Sequence, residues 1–198
     1  MGTFRLGALS RLLYWVGRVV VGVVGIVAEG VRAAIDGKFD VFVEEVKSLD
    51  FNNDNEQDVC EAEYVSAYKG NLVLRFYNRT LTSWSVFGTL FINDRTVDKS
   101  GSSAGNARNE NLIRHEWGHA QQELLIGSIP YLLGVALPSM TANLAARIFP
   151  SVLSVYNDLP WERSADVLGG VTRSSYSSWS APVGTLYFIG LLFAGLAI

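Results

Sequence analysis

The chain has 198 residues, a formal net charge of -3 and an isoelectric point near 5.4, enough for one domain with appendages and without the basic surplus of a nucleic-acid binder. Its single cysteine, Cys60, excludes an intrachain disulfide framework. A hydrophobic content of 49% with a mean hydropathy of +0.22 is high for a soluble domain and points to membrane contact, a large core, or both.

Residues 12–28 are apolar apart from Arg18, with Arg5 and Arg11 before them and Glu29, Arg32 and Asp36 after. This length suits a signal anchor or a single span with Arg18 snorkelling toward headgroups, and equally a buried helix. Gly17, Gly22 and Gly25 would let a second helix come close in a bilayer. No small-residue cleavage site follows the apolar run, which disfavours a removable signal peptide.

After Asp36-Gly37, residues 39–51 read as a short amphipathic helix or strand. Residues 52–58 read as a solvated acidic loop, without the spaced oxygen ligands of a calcium site. Residues 64–68 and 72–77 are rich in strand formers and flank Lys69-Gly70-Asn71, a hairpin signal. Alternation places Leu72, Leu74 and Phe76 on one face and Val73, Arg75 and Tyr77 on the other. Residues 84–92 predict a third strand in which Gly88 marks a bulge or a close approach. Residues 93–109 are a polar Gly/Ser/Asn stretch, a flap or a linker.

The chain then reaches Arg114-His115-Glu116-Trp117-Gly118-His119, the H-E-x-x-H pattern of helix-borne zinc sites. Residues four apart on a helix share a face, so His115 and His119 can converge on one ion, leaving Glu116 to face a zinc-activated water as general base. The protein has only 2 histidines, and both stand here; a chance match is on the order of one in a thousand for such a chain. The helix should begin near Asn109 or Asn111 and end at Ile126, with Gly127 as its stop. Gly118 costs a helix interior about 1 kcal/mol relative to alanine, which implies a neighbour that comes close.

Catalytic zinc takes three protein ligands, so a third is needed. Trp161-Glu162-Arg163-Ser164-Ala165-Asp166 follows Pro160 and predicts a helix start with Asp158 as N-cap. Glu162 and Asp166 share a face. Either carboxylate could bind zinc while the other orients a ligand histidine; Glu162 is the preferred ligand and Asp166 the preferred orienter. The other reading is an ordinary solvated helix start.

Residues 124–146 carry no charge but are interrupted by Gly127, Pro130, Gly134 and Pro138, which predicts a broken hydrophobic hairpin under the metal helix or dipping into a bilayer. Residues 152–156 lead back to the Glu162 helix, which Gly169-Gly170 should end. Residues 174–198 are again uncharged, and 183–198 form an apolar tail suited to a buried helix, a tilted membrane segment or a tail anchor. The expected organisation is an apolar N-terminal segment over 1–37, a catalytic domain over 38–180 and an apolar tail over 181–198.

Several of these residues together resemble a known group. Tyr64-Val65-Ser66-Ala67-Tyr68-Lys69-Gly70, Phe87-Gly88, the H-E-x-x-H helix with Gln122, Pro138-Ser139, and Trp161-Glu162 with Ala165-Asp166 and Leu168-Gly169-Gly170 look like the zincin-like domains at the C-termini of bacterial RHS/YD-repeat polymorphic toxins and related stand-alone proteins. The resemblance covers residues 61–171. It implies an α+β zincin-like fold, with a small antiparallel sheet before the metal helix and a helical C-terminal part. It also implies a gluzincin-type metallopeptidase, an effector role, and an immunity protein as partner.

The expectation is therefore a membrane-associated or secreted bacterial metallopeptidase holding one Zn2+ per chain on His115, His119 and Glu162, with Glu116 as base and a protein or peptide as substrate. Tyr156, Arg173 and Tyr176 are the candidates for stabilising the oxyanion. Two other readings stand beside it: a zinc hydrolase of non-peptide amides or esters, and a non-catalytic membrane-active or interaction protein whose zinc is structural.

Overall fold

The computed structural model describes residues 6–149, 151, 155–171, 173 and 180–197. Its centre is a four-stranded sheet of β1 (Val65–Tyr68), β2 (Asn71–Phe76), β3 (Trp84–Val86) and β4 (Thr89–Asn93), ordered β1-β2-β4-β3. The fold is α+β, but the sheet is mixed where an antiparallel one was expected, because β2 and β4 run parallel. The reason lies at Phe87-Gly88. Both residues have positive φ, 49° and 64°, so they form a two-residue hairpin turn and divide the predicted third strand in two. β3 therefore runs antiparallel to β4 at the sheet edge, and β4 returns alongside β2. Lys69-Gly70 makes the same kind of turn between β1 and β2, with φ of 44° and 83°.

One face of the sheet, through Leu72 and Leu74, is covered by α1 (Leu6–Ile35) and α2 (Phe39–Lys47). Residues 39–51 thus resolve as a helix that stops at Lys47. Gly17, Gly22 and Gly25 of α1 face the sheet and its β3–β4 turn: a Cβ at Gly17 would collide with the Phe87 ring, one at Gly25 with Leu74, and one at Gly22 would touch Leu72. Arg18 donates to the Gly70 carbonyl. Glu29 and Arg32 pair at 2.6 Å, and Arg32 also donates to the Arg75 carbonyl. With its polar groups turned inward, α1 exposes only apolar side chains between positions 12 and 35.

The other face, through Val73, Leu90 and Ile92, packs on α3 (Glu56–Glu61) and α4 (Ser103–Ile126). The stretch read as a solvated loop contains the start of α3, and Glu56 is drawn in to accept from Tyr68 at 2.6 Å and Arg114 at 2.8 Å. α4 begins at Ser103, earlier than the sequence suggests. Gly105, Asn106 and Asn109 are poor helix formers, but the Ser102 hydroxyl caps the Gly105 N–H at 3.0 Å, and the Asn109 side chain bonds both backbone groups of Asp98.

After Gly127 comes a single helical run, not a broken hairpin: α5 (Ser128–Tyr131), a π-helical turn (Leu132–Ala136) and α6 (Leu137–Ile148). Pro138 has no N–H to give the carbonyl four residues back. That carbonyl, Gly134, accepts the Tyr187 hydroxyl from α8 (Ser180–Ala197) instead. A 3₁₀ turn (Tyr156–Asp158) then leads into α7 (Pro160–Gly169), whose N-cap is Leu159 and not Asp158. Residues 152–154 lie outside the described residues. Two helical runs among the described residues, Ala8–Ile35 and Ser128–Ile148, are long and apolar enough to cross a membrane.

Removing the donor that replaces Pro138's missing one should be costly. Tyr187→Phe is expected to destabilise the fold by about 1–3 kcal/mol, the usual penalty for a stranded carbonyl, read as a lower urea midpoint at unchanged slope.

Candidate metal centre

α4 and α7 cross with almost nothing between their backbones. A Cβ on Gly118 would run into the Ala165 carbonyl, and one on Gly169 into the Arg114 carbonyl. The close neighbour implied by Gly118 is thus the helix that carries Glu162.

This crossing brings His115, His119 and Glu162 into one buried cluster that could hold a metal ion, with one donor atom from each within 4.8 Å of the others. Glu162 Oε2 lies 3.1 Å from His115 Nε2 and 3.3 Å from His119 Nε2. The remaining nitrogens are engaged behind the cluster. His115 Nδ1 is 2.7 Å from Asp166 Oδ1, and His119 Nδ1 is 2.7 Å from Gln122 Oε1. Gln122 Nε2 donates to the Trp161 carbonyl at 2.9 Å and to Ser164 Oγ at 2.6 Å, which fixes the amide orientation and makes Oε1 the acceptor for His119. Both imidazoles therefore carry a proton on Nδ1 and, when neutral, aim the Nε2 lone pair at the cluster. Asp166 is turned to the outer side of His115 and is not part of the three-ligand group.

The electrostatics suit a cation. Glu162 and Asp166 are completely buried, and two acids on one buried helix face are stable only with positive partners or donors. Burial by itself would raise Glu162, but its bonds to His115 and His119 hold it well below the ordinary carboxylate range. Burial by itself would lower His115, but Asp166 and Glu162 push it up to about 10.

Glu116 stands beside the cluster, 4% exposed, and its Oε2 is buried with no hydrogen-bond partner. Burial raises its pKa while the two histidines oppose that rise. The oxyanion candidates are engaged elsewhere: Arg173 donates to Asp166 at 3.3 Å, and the Tyr156 hydroxyl lies 3.0 Å from Ser139 Oγ. Tyr176 lies outside the described residues.

Three contributors had no role assigned from sequence. Gln122 was legible in principle, since it sits three residues beyond His119 on the same helical face. Ser139, which donates to Glu162 Oε1, entered only through the Pro138-Ser139 part of the resemblance, and Tyr131, whose ring is 6.5 Å from His119 and whose hydroxyl donates to the Ser85 carbonyl at 3.1 Å, carries no local signal. Comparison with known proteins finds no matching family model, no matching curated protein and no matching solved structure.

Two outcomes are expected. In Gly118→Ala the new methyl group displaces α7, so stability should fall by about 1–3 kcal/mol and metal affinity by at least about tenfold, measured by denaturation and chelator competition. The second concerns pH. His115 is raised from 6.5 to about 10, so its contribution to stability is complete below pH 6.5 and disappears as pH climbs toward 10. Glu162 is lowered from 4.5, so its contribution is complete above pH 4.5 and disappears in acid. Metal-stripped protein should be most stable between these limits, pH 4.5 and 6.5, and metal should flatten the alkaline decline because binding requires His115 neutral. Melting temperatures of stripped protein that do not change from pH 6.5 to pH 10 would contradict this account.

Proposed function

We propose that the chain is a membrane-associated zinc metallopeptidase, with His115, His119 and Glu162 as the ligands and Glu116 as general base. The observation that carries this reading is the unpartnered, buried carboxylate oxygen of Glu116 beside a three-ligand cluster. A structural zinc site closes its coordination with a fourth protein ligand and has no use for a base. Two neutral imidazoles and one glutamate form a donor set found in catalytic zinc peptidases.

When bound, zinc lowers the pKa of a coordinated water to about 7 and polarises a carbonyl. Glu116 removes a proton from the attacking water as its oxygen bonds to the scissile carbon, then delivers that proton to the departing amine as the C–N bond breaks. A carboxylate raised by burial is better suited to this two-way transfer than an exposed one. Asp166 and Gln122 keep the imidazoles in the ligating tautomer throughout. Tyr156 is bonded to Ser139 and Arg173 to Asp166, so each of these candidate oxyanion donors is held at the edge of the cluster by one of its supporting residues.

The resemblance to zincin-like toxin domains supports a protein or peptide substrate, an effector role and an immunity protein as partner. The same residues would hydrolyse a non-peptide amide or ester, which a substrate profile separates. Membrane association is supported by the two long apolar helices and by the uncharged outer face of α1. That face also favours the second reading, a membrane-active protein with structural zinc.

Elemental analysis should find about one zinc per chain in the parent and in Glu116→Gln, and none in Glu162→Ala. Hydrolysis of a peptide library should fall by about 10²–10⁴ in Glu116→Gln. Unchanged turnover in that variant, or a parent that takes up no zinc, sinks the proposal. Liposome leakage that survives Glu116→Gln in a chain without peptidase activity supports the membrane-active reading instead.

A further inference from the structure

We infer that Ser139, on the apolar helix α6, is a positioning residue that fixes Glu162 as a one-oxygen ligand. The inference rests on the metal-centre reading above. Glu162 turns Oε2 toward both imidazoles, and its other oxygen, Oε1, accepts from Ser139 Oγ. Ser139 has a single proton. With that proton on Glu162, the hydroxyl of Tyr156, 3.0 Å away, is the donor to Ser139 Oγ. The result is a directed chain from Tyr156 through Ser139 to the outer oxygen of the ligand.

The arrangement has a consequence for coordination. A carboxylate that offers one oxygen, together with two imidazole nitrogens, leaves a fourth tetrahedral position open. A carboxylate free to rotate could offer both oxygens, which with the two imidazoles and a water would make the site five-coordinate. Hydrogen bonds to the non-ligating oxygen are the usual means of preventing this. Ser139 is conspicuous in its surroundings. It belongs to a stretch without charge, and its helix neighbours Leu137, Met140 and Leu144 are 48%, 66% and 60% exposed, while Ser139 points back at the ligand. The membrane-prone helix is in this way tied to the geometry of the metal.

The test uses the full chain loaded with Zn2+ or with Co2+, whose visible bands are strong in four-coordinate and weak in five-coordinate sites. Ser139→Ala should lower zinc affinity by about 10- to 100-fold and weaken the cobalt bands, and Ser139→Thr should restore both. Tyr156→Phe, which keeps the ring and removes the hydroxyl that bonds Ser139 and also reaches Glu162, should shift both readouts the same way by a smaller amount. This covers the case in which Ser139→Ala fails to fold. Parent affinity and parent spectrum in Ser139→Ala, or in Tyr156→Phe if the former is unfolded, overturn the inference and leave the metal centre standing. A parent that binds neither metal overturns both.

Discussion

The contact between α4 and α7 is the constraint on which the rest of the structure depends. Two helices ordinarily lie 8–10 Å apart, at the distance their interleaved side chains impose. Here Gly118 and Gly169 each admit a carbonyl of the opposite helix, and the short side chains of His115, His119 and Glu162 can meet across the gap. Wider spacing would leave Glu162 unable to reach either imidazole. The helix propensity sacrificed at Gly118 is small beside what close approach permits, since a ligand displaced by one ångström is no longer a ligand.

That crossing also buries charge. Glu116, Glu123, Glu162 and Asp166 are all nearly or fully removed from water on these two helices. Each except the free oxygens of Glu116 and Glu123 has a specific partner: Glu123 accepts from Ser128, Glu162 from Ser139, and Asp166 from Arg173. Buried carboxylates without such partners would take up protons or unfold the site. The donors come from α5, α6 and the segment after α7, so the buried acids depend on elements beyond the metal helix.

The exterior follows the opposite logic. α1 holds Arg18, Glu29 and Arg32 against the sheet and shows only apolar side chains outward between positions 12 and 35. The run from Ser128 to Ile148 exposes Leu133, Met140, Leu144 and Ile148, with Arg147 as an exposed charge near its end, while directing Ser139 inward. A helix that buries its charges and exposes its valines is ordered for an apolar exterior, which is the physical content of the membrane association proposed here.

Much of this was written locally. The four-residue spacing of His115 and His119, the adjacent Glu116 and the matching spacing of Glu162 and Asp166 each define a helical face, because the α-helical period is a property of the backbone. The hydrophobic alternation of β2 likewise separates the two sheet faces. What local pattern could not supply were facts that depend on a partner distant in sequence. Phe87-Gly88 became a turn, which made the sheet mixed. Pro138 became tolerable inside a helix because Tyr187 satisfies the carbonyl it abandons. The start of α4 moved to Ser103 because caps and Asp98 outweigh weak propensity. By itself the sequence determined which side chains could bind and activate, through spacing on single helices. Only the tertiary structure decided which of them meet, and which oxygen of Glu162 faces the histidines, because those outcomes are set by backbone approach and hydrogen bonds across tens of residues.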